Sequence, residues 1–228
     1  MDTRQRYERT AAELAEACRS VGRDPSEVRL VAVSKTIGCD QVGLAMQGGA
    51  HDFGENRPDQ LMEKADAFPD ATWHFIGNIQ SRRIRDIVGR AALIHSLYEE
   101  RHARKIDEIA RERGIVQDVL LEVNVSGEES KSGCTPQGVH ELLEVCESLD
   151  NVRVRGLMTM APRSDEGIVR ETFSGLARLH GELRAQLPAE RAEAFDELSM
   201  GMSEDWRIAV EEGATIIRVG RAIFSDQF

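Results

Sequence analysis

The stretch VRLVAVSKT, Val28 to Thr36, is a run of apolar residues that ends abruptly in a hydroxyl and an amine. Leu30, Val31, Ala32 and Val33 are adjacent and rich in β-branching, which suits a strand covered on both faces within a parallel sheet. Lys35 stands at its exit. A primary amine at the mouth of a low-dielectric strand has its charged form destabilised, which moves it towards the range where it is nucleophilic. That is the requirement for Schiff-base chemistry. A lysine that merely marks where a strand meets water would look the same on this segment alone.

Outward from this stretch, short apolar runs recur: Ala50 to Phe53, Trp73 to Ile76, Ala92 to Leu97, Val119 to Val125, Val152 to Met160, Phe195 to Met200 and Thr215 to Val219. Segments with helical periodicity separate them, at Val42 to Gln47, Gln60 to Ala67, Ile79 to Val88, Ala103 to Ala110, Val139 to Leu149 and Trp206 to Glu211. Phe173, Leu176, Ala177, His180 and Leu183 mark a further stripe. Residues 2–21 form an opening helix, stopped by Gly22. Strand then helix, repeated to eight strands, predicts an α/β fold: a single (β/α)8 TIM-type barrel over residues 1–228 with an additional amino-terminal helix. A doubly wound open sheet is the weaker alternative, since no G-x-G-x-x-G follows the first strand.

Of the 228 residues, 41% are hydrophobic and 30% charged, with no long apolar run and no amino terminus of signal type. A soluble, cytoplasmic protein is expected, without a membrane partner. The net charge of -11 and the dispersed basic groups, apart from Arg82, Arg83 and Arg85, oppose a nucleic-acid partner. Cys18, Cys39, Cys134 and Cys146 show no C-x-x-C spacing and are expected as free thiols. His51, His74 and His95 fall in expected strands, where a barrel could gather them. No H-x-H or H-E-x-x-H pattern supports a metal, and none is expected.

Polar, Gly-rich segments follow several runs: GENRPDQ at 54–60, GNIQSRR at 77–83, NVSGEESKSG at 124–133 and SMGMSED at 199–205. In a barrel these project from the carboxyl-terminal face, where sites are built. The loops after strands seven and eight commonly hold phosphate there. Gly201 and Gly220 permit close backbone approach to such an anion, and Ser203 can offer its hydroxyl. Ser203 also reads as an N-cap for the helix at Trp206, in which case Glu204 and Asp205 have to point away from the anion. A strand-end lysine and an anion cradle on one rim suggest an aldehyde-bearing phosphate such as pyridoxal 5'-phosphate. Arg218, alternating with Ile217 and Val219, is the candidate partner for its ring nitrogen.

AVSKT at 32–36, FGEN at 53–56, WHFIG at 73–77 with Gln80 and Ser81, VNVSGEESKSG at 123–133, GLMTM at 156–160, LSMGMS at 198–203 and RVG with AIF at 218–224 resemble the pyridoxal phosphate homeostasis protein family. This family is related to the amino-terminal barrel of alanine racemase. The resemblance implies a covalent aldimine on Lys35, with Asn56 near the cofactor ring and its phenolic oxygen. It implies that Ser199, Met200, Ser203 and Gly220 line the ring and phosphate, with Arg218 at the ring nitrogen. It further implies a cofactor carrier in vitamin B6 homeostasis, not an enzyme, that delivers pyridoxal phosphate to apoenzymes.

Several positions depart from the family pattern. Asn78 replaces a histidine, Arg57-Pro58 an aromatic-Val pair, Arg221 a threonine beside the phosphate, and Ser225 a glycine. The alternative reading is a pyridoxal-phosphate-dependent racemase or related enzyme. Racemisation needs a second acid/base on the opposite face of the ligand. In alanine racemases that group comes from an additional domain of a partner subunit. This chain runs only four residues past AIF, its tyrosines are Tyr7 and Tyr98, and a monomer is expected. Cofactor-free aldol chemistry on Lys35 would need no ring-nitrogen partner.

Overall fold

A computed structural model describes residues 1–128 and 131–225. Glu129 and Ser130 of the VNVSGEESKSG motif, and residues 226–228 of the expected unit, lie outside the described residues. Eight parallel strands close into a barrel in chain order: β1 (Arg29–Val33), β2 (Asp52–Glu55), β3 (Thr72–Phe75), β4 (Leu93–Leu97), β5 (Gln117–Glu122), β6 (Val152–Met158), β7 (Glu197–Ser199) and β8 (Ile216–Val219). The barrel closes where β1 pairs with β8, Leu30 opposite Ile217 and Val31 opposite Arg218. The expected α/β TIM-type barrel is the fold observed.

The helices are α1 (Thr3–Ser20), α2 (Cys39–Gln47), α3 (Pro58–Ala67), α4 (Ile84–Ile87), α5 (Glu100–Glu112), α6 (Gly138–Glu147), α7 (Glu166–Gln186), α8 (Ala189–Ala194), α9 (Trp206–Glu211) and α10 (Arg221–Phe224). The additional helix α1 begins with a capping box, in which Asp2 accepts from the Gln5 N–H at 2.8 Å and the Gln5 side chain returns the bond. From α1, the buried Arg6 guanidinium donates to the Ile223 carbonyl at 2.7 Å, so the first helix holds the last one.

Two apolar shells follow from the alternation of side chains along each strand. A large outer shell lies between strands and helices and includes Ala32, Phe53, Phe75, Leu121, Phe173, Leu176 and Leu183. The barrel lumen holds a smaller set, Val31, Leu93, Leu120, Met158 and Ile216. Each such side chain, fully buried, stabilises the fold by roughly 1.5–3 kcal/mol. No helix among the described residues is long and apolar enough to cross a membrane.

Boundaries differ from expectation where polar side chains are buried. β2 runs two residues later than its apolar signal and ends on Glu55, a fully buried carboxylate neutralised by Lys64. β5 starts at Gln117, whose side-chain amide donates to the Ala91 carbonyl at 3.0 Å. The helix expected over Ile79 to Val88 shrinks to a 3-10 turn at Ser81–Arg83 and the short α4.

Candidate functional site

At the carboxyl-terminal end of the strands lies a cavity of about 470 Å³, lined in part by Lys35, Asn56, Ser203, Arg218 and Gly220. Lys35 follows β1 after the buried Ser34 and is exposed at the mouth. The enclosed surroundings expected of this amine are therefore not supplied by the chain. Its backbone is nonetheless held firmly from behind. Ser34 Oγ donates to Glu55 Oε1 at 2.6 Å, and Lys64 Nζ donates to the Ser34 carbonyl at 2.7 Å and to Glu55 Oε1 at 2.5 Å. With its amide oriented to satisfy both groups, Gln60 donates to the Lys35 carbonyl at 3.0 Å and to Glu55 Oε2 at 3.1 Å.

Asn56 leaves β2 beside Gly77. Any side chain at 77 would overlap the Asn56 backbone, so the glycine is what allows the two rim segments to meet. Asn56 Oδ1 is buried and has no hydrogen-bond partner. An unsatisfied buried acceptor of this kind costs about 1–3 kcal/mol, which a donor on a bound ligand recovers.

Arg218 projects from β8 into the lumen and is 4% exposed. It donates to Ser199 Oγ at 2.5 Å and to the Thr159 carbonyl at 3.0 Å. Burial lowers its pKa to about 10, against the opposing pull of Asp205 and Glu122, so it stays cationic at neutral pH. Burial raises both of those carboxyls above the ordinary range.

Between β7 and α9 the chain forms a tight cradle. Gly201 has φ +92, and a Cβ there would come within 2.9 Å of Trp206 Cα. Asp205 Oδ1 accepts from the Met202 N–H at 2.5 Å, and the Gly220 N–H donates to Ser203 Oγ at 3.3 Å. Ser203 is not the N-cap of α9, whose cap position is Asp205. Nor do the two acids turn away, since Glu204 and Asp205 both line the cavity.

Ser199 and Met200 are not among the lining residues. Ser199 sits beneath Arg218, and Met200 is fully buried in the outer shell while its N–H donates to the Ile216 carbonyl at 3.1 Å. Met158, Met160 and Arg163 do line the cavity; the two methionines fall in the apolar run ending at Met160, and no motif in the sequence marks Arg163. Of the departures, Arg57-Pro58 starts α3, where proline at the first helical position is favourable. Arg221 pairs with Glu204 at 2.8 Å on the rim.

His74 and His95 do meet, in the lumen, with His74 Nδ1 2.9 Å from His95 Nε2. His51 stays outside, exposed and one residue before β2. Among the described residues no group of three or more His, Cys, Asp or Glu side chains could hold a metal ion.

A closed parallel barrel with a lysine, an asparagine and a buried arginine around one rim cavity defines a ligand-binding TIM-type barrel. Residues 9–227 match the family described as alanine racemase, N-terminal domain. A pyridoxal phosphate homeostasis protein of Aquifex aeolicus is 39% identical over 100% of this chain and 99% of its own length. Among solved structures, an unknown protein from Bifidobacterium adolescentis has a TM-score of 0.92 at 34% identity, covering 97% of this chain and 94% of that one. PipY of Synechococcus elongatus, solved with pyridoxal phosphate bound, has a TM-score of 0.81 at 35% identity, over 94% of this chain and 100% of that one. The chain belongs to the alanine racemase N-terminal domain family and, within it, to the pyridoxal phosphate homeostasis proteins.

Proposed function

We propose that this chain binds pyridoxal 5'-phosphate, tethers it to Lys35 as a Schiff base and acts as a carrier in vitamin B6 homeostasis that hands the cofactor to apoenzymes. The observation that carries this reading is the convergence of Lys35, Asn56, Ser203, Arg218 and Gly220 on one rim cavity. The orphaned Asn56 oxygen fits the ligand, because it is an acceptor awaiting a donor such as a ring hydroxyl. The cofactor supplies an aldehyde carbon, to which an amine adds with loss of water.

The Lys35 Nζ is the amine, and its exposed position gives water the access that hydrolytic release needs. Ser203 and the Gly220 N–H are the groups proposed for the phosphate. Arg218 is the donor towards the ring nitrogen, and as a cation it does not give up a proton to it at neutral pH. Ser199 and Met200 support the site from beneath and behind, through Arg218 and the β7 backbone respectively.

A carrier is favoured over a racemase because the curated relatives from Aquifex aeolicus and Pseudomonas aeruginosa are named pyridoxal phosphate homeostasis proteins; neither Tyr7 nor Tyr98 lines the cavity. The test is spectroscopic and isotopic. Pyridoxal phosphate added to the protein should give a visible absorbance band that is lost in Lys35→Ala, and no amino acid should exchange its α-hydrogen for deuterium. Rapid exchange with any amino acid would instead establish the enzyme.

A further inference from the structure

We infer that His74 and His95 are positioning residues for Arg218: with Asp52 and Ser199 they form one hydrogen-bond relay of fixed polarity through the barrel lumen, which clamps the guanidinium against the ligand. This rests on the reading of Arg218 as the group that faces the cofactor ring.

The lumen of a barrel of this type is ordinarily filled by layers of branched apolar side chains. Here a polar file crosses it beside Val31, Leu93 and Leu120. Arg218 donates to Ser199 Oγ at 2.5 Å, Ser199 Oγ lies 2.9 Å from His95 Nδ1, His95 Nε2 lies 2.9 Å from His74 Nδ1, and His74 Nε2 lies 3.0 Å from Asp52 Oδ1. Five strands contribute one residue each, β8, β7, β4, β3 and β2. The file runs from the carboxyl-terminal rim to the opposite end of β2, where the Asp52 side chain is 22% exposed.

The chemistry of the two ends sets the direction. A guanidinium can only donate, and an ionised carboxylate can only accept. Ser199 therefore accepts from Arg218 and has its own proton for His95 Nδ1. His95 carries its hydrogen on Nε2 and gives it to His74 Nδ1, and His74 gives its own from Nε2 to Asp52. In this polarity each imidazole uses one donor and one acceptor. The opposite polarity would set an unprotonated His74 nitrogen against the Asp52 carboxylate and leave the Ser199 proton without this partner. Burial, with the Arg218 cation nearby, pushes the His95 pKa well down, in keeping with a neutral ring at that position.

A fully satisfied buried file is rigid, whereas one missing member leaves the rest with unpaired groups. The clamp is thus read at Arg218. Its geometry depends on His95, which itself stands one hydroxyl away from it.

Nitrogen-15 NMR of the imidazoles in the cofactor-free protein tests the polarity, and two substitutions test the clamp. The expected spectrum shows His95 and His74 each protonated at Nε2 and bare at Nδ1. His95→Leu should bind pyridoxal phosphate about tenfold more weakly, the scale of one disrupted buried hydrogen bond, with a displaced absorbance band. His95→Gln, whose amide can accept from Ser199 and donate to His74, should restore affinity and band. A doubly protonated or Nδ1-protonated imidazole at either position would overturn the relay. So would a folded His95→Leu protein with unchanged affinity and spectrum. If His95→Leu does not fold, the imidazole assignments decide. If the unaltered protein takes up no cofactor, the proposed function fails, while the imidazole assignments still decide the relay.

Discussion

Lys64 Nζ lies 2.5 Å from Glu55 Oε1 and 2.7 Å from the Ser34 carbonyl, with both side chains sealed from solvent directly behind Lys35. The pair ties β2 and α3 to the residue that follows β1, immediately before Lys35. Removing one partner of a buried pair leaves an uncompensated charge, so Lys64→Met should destabilise the fold by about 3–5 kcal/mol. Replacing both, with Glu55→Gln added, should recover part of that loss. Urea unfolding of the single and double variants measures it; equal losses would remove the pair from this role.

Gly201 holds φ +92 with Trp206 and Ala209 packed where a side chain would go. Gly201→Ala should therefore lower stability by roughly 1–3 kcal/mol through backbone strain and displaced packing. It should also weaken cofactor binding, because Ser203 lies in the same turn. Gly213→Ala, at φ +93 with open space around it, is the control and should leave binding intact. Thermal unfolding and a titration with pyridoxal phosphate separate the two effects.

Burial lowers the pKa of His180 to about 4, with its ring stacked on Phe195 at 4.8 Å. A histidine depressed in the folded state binds its proton more readily once unfolded. Stability is therefore lost as pH falls from about 6.5 towards 4, by roughly 3 kcal/mol from this group. His95, also lowered by burial, acts in the same direction. His180→Leu should flatten the acid limb of a plot of unfolding free energy against pH, and an unchanged limb would assign it elsewhere.

Arg221 and Glu204 pair at 2.8 Å with side chains 52% and 55% exposed. Exposed pairs contribute about 0–1 kcal/mol. Arg221→Thr, which restores the residue the resemblance leads one to expect, should leave stability within about 0.5 kcal/mol and add a hydroxyl on the rim where the phosphate is proposed to sit. Tighter cofactor binding is the expected result, measured by equilibrium dialysis.

The barrel is legible in the chain because most strands are short β-branched runs and the helices between them carry one apolar stripe, as Phe173, Leu176 and Leu183 do on α7. The carboxyl end of β2 is not, because its last residue is a carboxylate whose counter-charge, Lys64, comes from the following helix. Lys35 and Arg218 stand out as charges at the ends of apolar runs. Within SMGMS the sequence does not say which members face the cavity, and Met200 lies in the outer shell while Ser203 lines the cavity. His74 and His95 can be placed on strands from sequence, but their meeting depends on the stagger of β3 against β4, which no spacing encodes.

The most direct test of the central claim is borohydride reduction of the protein loaded with pyridoxal phosphate, followed by peptide mapping. The adduct is expected on the peptide that carries Lys35, in one equivalent and absent from Lys35→Ala. An adduct on another lysine, or none in a protein that has taken up the cofactor, would contradict the tether at Lys35.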